Sequence, residues 1–323
     1  MTVRHNLVTY GIAFVIILVL NFSLPRMMPG DPLAAIYGDE ALIAMTPELQ
    51  ARVVERFSLD QPVPAQFGSY VASLFTGDLG HSYYYNAPVF DVILGALPWT
   101  LLVVGTSLVL STILGIILGI ESGWRRGSKT DRTMMAGLMS LNGFPDFFIG
   151  LVLLIVFGVT VGIAPLSGAV TPYSGLTGMA LFLDVLRHMA LPVAALTLAH
   201  LSGGYLLTRN TMIGVLKAPF MRTAQAKGLS PAVQKYRHAG RNSMLPVMTV
   251  TGVWLGRLVT GALLVEIVFA YPGVGQLTYQ ALMARDYPVI QGVFLLVAVT
   301  VLLANLAVDL LYPRLDPRIR HAH

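Results

Sequence analysis

Among the charges inside otherwise apolar runs of this 323-residue chain are Asp146, Arg257 and Glu266. A charge near the centre of a bilayer costs at least about 2.5–3.5 kcal/mol on insertion scales, so such residues serve pathways, gates or mutual pairing. Enzymatic chemistry has little to work with. There is no cysteine, which removes disulfides, thiolate metal sites and cysteine nucleophiles. The histidines at 5, 81, 188, 200, 238, 321 and 323 never fall two to a span at metal-ligand spacing. His321 and His323 read as solvated tail residues, and His200 as a hydrogen-bonded structural residue inside the membrane. No serine-nucleophile motif or paired acid and base is present. The run Gly123-Trp124-Arg125-Arg126-Gly127-Ser128-Lys129-Thr130 has the outline of a phosphate-binding loop. That motif requires four residues between its glycines and a lysine directly after the second. Here three intervene and Ser128 precedes Lys129, so no ATP site, bound cofactor or metal is expected on this chain.

Such residues need apolar elements to hold them. The chain is 55% hydrophobic and 11% charged, with a mean hydropathy of +0.70, where soluble domains carry about 25% charged residues. Too little polar surface remains to cover a water-soluble globule. No basic face with base-reading residues supports nucleic-acid binding. A spanning helix needs about 20 apolar residues, and six runs qualify: 7–24, 100–120, 134–161, 189–207, 247–268 and 289–311. The third is interrupted by Asn142, Gly143, Pro145 and Asp146. The first reads as a retained helix, because Leu24-Pro25-Arg26-Met27 is no small-x-small cleavage site. With both termini inside, only Arg26, Arg52, Arg56, Arg187 and Arg285 face outward and Arg257 lies in a span. That leaves 15 of the 21 lysines and arginines on the cytoplasmic side. The expectation is an all-α, polytopic membrane protein of six spans, surrounded by lipid.

Two connections are long. In the external one, 25–97, Thr46-Pro47-Glu48 reads as the start of a short helix to about Phe57. A second short helix is expected over 63–75, then a turn at Gly77-Asp78-Leu79-Gly80. Tyr83, Tyr84 and Tyr85 read as an interfacial aromatic belt. The internal connection, 209–245, reads as two short helices broken at Gly228, with Ser230-Pro231 starting the second. Small residues at Thr223, Ala224 and Ala226 let a helix lie close to another surface, and Arg222 and Lys227 flank it. No internal repeat is visible.

The 222–229 run, Arg-Thr-Ala-Gln-Ala-Lys-Gly-Leu, resembles the cytoplasmic EAA loop of binding-protein-dependent ABC importer permeases, in the form found in the oligopeptide, dipeptide and nickel branch. Further blocks resemble that family in its order. They are Pro29-Gly30-Asp31-Pro32, Leu59-Asp60-Gln61-Pro62, 77–82, Glu266 to Gly275, Arg285 to Gln291 and Asp316 to Arg320. The large external loop is similar to that of the first of the two permease subunits. Arg222-Thr223-Ala224 stands where the wider superfamily has Glu-Ala-Ala, Asp146 where a small polar residue is usual, and Arg257 where a neutral one is.

This resemblance implies a single permease domain of the type I ABC importer fold, in the cell membrane. It implies a second homologous permease subunit, two ATPase subunits carrying ATP and Mg, and an external substrate-binding protein. Arg222, Thr223, Ala224, Ala226, Lys227, Gly228, Leu245 and Pro246 are then the ATPase-coupling residues. Asp146, Arg257 and Glu266 belong to the pathway or its gate, with Glu266 near the outer end of its helix. Peptides rank first as substrate, then nickel or metal chelates, then oligosaccharides. An ion-coupled secondary transporter ranks lower, since no inverted repeat is visible. Asp146 lies 12 residues beyond Met134 and Arg257 10 beyond Val247. At about 1.5 Å per residue those depths are roughly 18 and 15 Å, which matches an ion pair.

Overall fold

The computed structural model describes residues 3–27, 46, 61–244, 246–248, 250, 251 and 262–315. Among them the chain is helical, with one isolated bridge between His81 and Pro88. It divides into two compact units, Met1–Pro98 with Gly273–Leu303 and Trp99–Pro272 with Ala304–His323.

The first unit contains α1 (Val3–Arg26), α2 (Val63–Phe75), the start of α3 (Val89–Trp124), α9 (Val274–Met283) and most of α10 (Tyr287–Leu315). Helix α2 begins with proline at its first turn, where the missing N–H costs nothing. Asn21 of α1 donates to the Tyr70 hydroxyl at 3.0 Å and to the Gln291 carbonyl at 2.9 Å, tying three helices together. Gly292 lets α10 close onto α3: a Cβ there would sit 2.5 Å from Val89 Cγ1. The expected turn at 77–80 is present, with φ of +75° at Gly77 and +85° at Gly80 and the Asp78 carboxylate accepting from the Gly80 N–H. It delivers Ser82 to a buried knot. Asp286 accepts from the Ser82 hydroxyl at 2.5 Å, from the Tyr84 N–H at 3.0 Å and from the Val289 N–H. Two of the sequence blocks quoted above thus meet in space. The short helix expected from Thr46 to Phe57 lies outside the described residues.

In the second unit the rest of α3 packs on α6 (Gly178–Val215). Glycines at 115, 119 and 123 form a stripe of period four, so one face of α3 carries no side chains. A Cβ on Gly119 would lie 2.5 Å from Thr208 Cβ and 2.8 Å from the Tyr205 carbonyl, and one on Gly123 2.7 Å from Met212 Cβ. This is the close small-residue packing that membrane helices use where the hydrophobic effect supplies no force between them. At 36 and 38 residues, α3 and α6 outrun the roughly 20 needed to cross the bilayer. α6 continues to Val215, through residues expected to be loop.

The third expected span is not one straight helix. α4 (Lys129–Leu141) and the helix from Asp146 to Thr160 (α5, Asp146–Leu153, continued by π-helical turns) meet at a 98° bend. Pro145, extended at ψ 149°, cannot continue α4. The rise from Met134 to Asp146 is therefore not along one axis. Two described helices are long and apolar enough to cross a membrane, three if the bent pair counts as one span, and α1 and α10 add shorter apolar stretches. Half of the fifth expected span falls outside the described residues, Arg257 with it. α7 and α8 belong to the sites below.

Candidate functional site at the 209–245 loop

After α6, Ala218 turns extended and Pro219 opens α7 (Pro219–Ala226). Eight residues present two faces. Met221 and Ala224, three apart, are buried, and Met221 joins Ile120, Met212 and Ala239 in a small core. Arg222, Thr223, Gln225, Ala226 and Lys227 are exposed. So of the residues singled out from sequence, Ala224 holds the helix down, while Arg222, Thr223, Ala226, Lys227 and Gly228 are exposed. Gly228 ends α7 as expected, at φ +69°. Its N–H donates to the Gln225 carbonyl and that of Leu229 to Ala224, the paired closure of a Schellman cap. Pro246 is half-buried, and Leu245 lies outside the described residues.

The second helix of the loop is not plain α-helix. From Val233 to Gly240 it is π-helical, followed by the short turn Arg241–Ser243. Five-residue closure turns Lys235, Ala239 and Gly240 inward together. Lys235, only 8% exposed, forms an ion pair with Glu121 near the end of α3. The other Glu121 oxygen takes Arg125 at 2.6 Å. Ser243 donates to the Ala239 carbonyl at 2.6 Å and lies 3.2 Å from Met212 sulfur. Arg237, Arg241 and Asn242 remain exposed beside α7.

Beneath this loop lies a buried cluster that sequence reasoning missed. Arg209 grips Asp131 through Nε at 2.7 Å and Nη2 at 2.8 Å, a two-pronged geometry only arginine supplies. Asp131 also accepts from the Ser122 hydroxyl at 2.5 Å and the Gly127 N–H at 2.8 Å. Ser122 in turn meets the Tyr205 hydroxyl at 2.7 Å. The ends of α3, α4 and α6 are thereby fixed to one carboxylate. A signal was present in Ser128-x-x-Asp131, a capping pattern. Ser128 does cap α4, accepting from the Asp131 N–H, so the would-be phosphate loop is a helix start.

Two of the pathway candidates, Asp146 and Glu266, lie among the described residues. Asp146 begins α5 and accepts from the adjacent Phe147 N–H at 2.8 Å. Its pairing with Arg257 lies outside the described residues. Glu266 lies in α8 (Leu263–Val268) and does not reach water. It is 1% exposed and accepts from the Thr100 hydroxyl at 2.7 Å. Next to it the chain turns through Ala270, at φ +43°, to Tyr271. Tyr271 packs edge-on against Trp99 with centroids 5.9 Å apart. Its buried hydroxyl finds no partner among the described residues. Burial, and then the nearby Glu266, push that phenol up to about 12. Deeper in the unit a cavity of about 150 Å³ is lined by Ser111, Thr112, His200 and Thr251 among apolar residues. There His200 Nδ1 donates to the Leu196 carbonyl at 2.8 Å, as the structural reading of this histidine expected.

Comparison with known proteins agrees with this geometry. A family model described as binding-protein-dependent transport system inner membrane component matches residues 111–321. A di/tripeptide transport system permease protein of Pseudomonas aeruginosa is 36% identical over 317 residues, covering 94% of both chains. A dipeptide transport system permease protein of Escherichia coli K12 is 36% identical over 325 residues, covering 95% of both. One from Alkalihalophilus pseudofirmus is 34% identical over 317 residues, covering 94% of both.

Proposed function

The chain belongs to the binding-protein-dependent transport system inner membrane components, and from that premise we propose that it forms half of a pathway for short peptides delivered by an external binding protein. As an ABC importer permease it carries the pathway and not the ATPase. In this reading a similar second permease completes the bundle, and two ATPase subunits hold ATP and Mg on the side where both termini lie. Peptides rank above metal chelates and oligosaccharides because the relatives are named for di- and tripeptides.

The observation that carries the reading is the two-faced loop: buried Met221 and Ala224 seat α7, while Arg222, Thr223, Ala226 and Lys227 remain exposed for an ATPase surface. Gly228 shapes the exit, and Leu245 and Pro246 return the chain to the membrane. Asp146, Arg257 and Glu266 are assigned to the pathway and its gate. Each cycle requires ATP to favour one face-open state and release of products the other. The test is reconstitution in vesicles with its partner subunits. Labelled dipeptide should enter only with ATP and the binding protein; entry of nickel or oligosaccharide instead would overturn the peptide assignment.

A further inference from the structure

The chain itself joins the 209–245 loop to α6. Helix α3 has no such direct link, because Glu121 and Lys235 are 114 positions apart. Motion of the loop reaches α3 through non-covalent contact, and two such contacts lie side by side. Ile120 makes the apolar one: a Cβ on Gly240 would come within 3.0 Å of its Cδ1. Glu121 makes the ionic one, to Lys235. Apolar surfaces slide past each other at little cost while contact is kept, because their attraction is non-directional. The part-buried Glu121–Lys235 ion pair slides less freely, because separating it leaves each charge without its partner. This pair is also held at both ends. Arg125 fixes the second Glu121 oxygen, and the Lys235 ammonium lies 4.7 Å from the centroid of the Tyr236 ring.

We propose that the Glu121–Lys235 pair is the strut through which displacement of the loop moves α3, with Lys235 a positioning residue of the transport cycle. The inference rests on the loop being the ATPase-docking element. The π-helical turns serve the strut by turning Lys235 inward with Ala239 and Gly240, while Arg237 and Arg241 stay exposed. Whatever tilts α7 pulls Lys235, then Glu121, and then the glycine-striped face of α3 against α6.

The test uses the whole importer in vesicles, with uptake and ATP hydrolysis read from the same sample. Glu121→Gln and Lys235→Met should each lower substrate moved per ATP by at least about fivefold, the lower range of coupling between sites. Lys235→Arg should keep the wild-type ratio. The charge exchange Glu121→Lys with Lys235→Glu should recover most of the loss. Wild-type ratios in both single variants, or no recovery in the exchange, overturn the strut. Where a substitution blocks assembly, the absence of native cysteine allows Glu121→Cys with Lys235→Cys and a thiol-reactive linker of side-chain length. Coupled uptake in the linked form and its loss in the unlinked form support the strut; equal ratios overturn it. If ATPase subunits do not co-purify with the wild-type chain, the docking reading itself fails and the strut falls with it.

Discussion

Replacing Gly119 by alanine adds a single methyl group, and the structure gives its cost. That methyl would stand 2.5 Å from Thr208 Cβ and 2.8 Å from the Tyr205 carbonyl oxygen. Carbon atoms prefer about 3.5–4.0 Å, so α3 and α6 must separate by roughly 1 Å along much of their shared face. Overpacking of this kind costs about 1–3 kcal/mol. Alanine returns about 0.5–1 kcal/mol through its lower backbone entropy in a helix. The net expectation is a loss of about 0–2.5 kcal/mol by that balance. Gly105 on the same helix is the control, because a Cβ there meets nothing within 4 Å. Gly105→Ala should be neutral or stabilising by about 0.4–1 kcal/mol. Unfolding of purified protein in mixed micelles, followed by helical circular dichroism, measures both. Gly119→Ala as stable as Gly105→Ala would refute the close packing of α3 on α6.

Other substitutions probe the remaining sites. Asp131→Asn leaves the partly buried Arg209 without its charge partner and should cost about 1.5–3 kcal/mol, as hydrogen bonds to charged groups do; unfolding in the same micelles reads it. Asp286→Asn sets an amide N–H against the donors of Ser82 and Tyr84. It should cost about 1.5–3 kcal/mol, as hydrogen bonds to charged groups do, and speed limited proteolysis between α2 and α3. A Cβ on Gly228 meets no atom within 4 Å, but Gly228→Val must hold a left-handed backbone, at about 1–2 kcal/mol. Co-purified ATPase should fall for Gly228→Val and much less for Gly228→Asn. Thr100→Val removes a donor from buried Glu266 and should change ATPase stimulation by the binding protein, while unchanged stimulation would argue against a gate there.

What was legible in the sequence was local. The boundaries of α2, the turn at 77–80 and the left-handed Gly228 follow from proline, glycine and capping residues acting within a few positions. The interruption at Asn142 to Pro145 was equally visible, but its angle depends on what α5 packs against. The coupling residues were found as a run of small and charged types, yet which of them faces inward depends on Met212 and Ile120, far away in sequence. The Glu121–Lys235 and Asp131–Arg209 pairs join residues 114 and 78 apart, and nothing in either neighbourhood names the partner. Glu266 shows the same limit. Its place near the outer end of its helix was legible, but its burial depends on the packing of Thr100 and its neighbours.

The knot at Asp286 also sets a timetable for biosynthesis. Ser82 precedes its acceptor by 204 residues, and ribosomes add about 5–20 residues per second. The hydroxyl of Ser82 and the amide of Tyr84 therefore wait roughly 10–40 seconds at that rate before the carboxylate that binds them has been made. During that interval the segment from α2 to α3 has no long-range anchor at this point, and a nascent chain stalled before Asp286 leaves it open to membrane proteases. Closing of the knot marks the moment at which synthesis has entered α10, the last helix described.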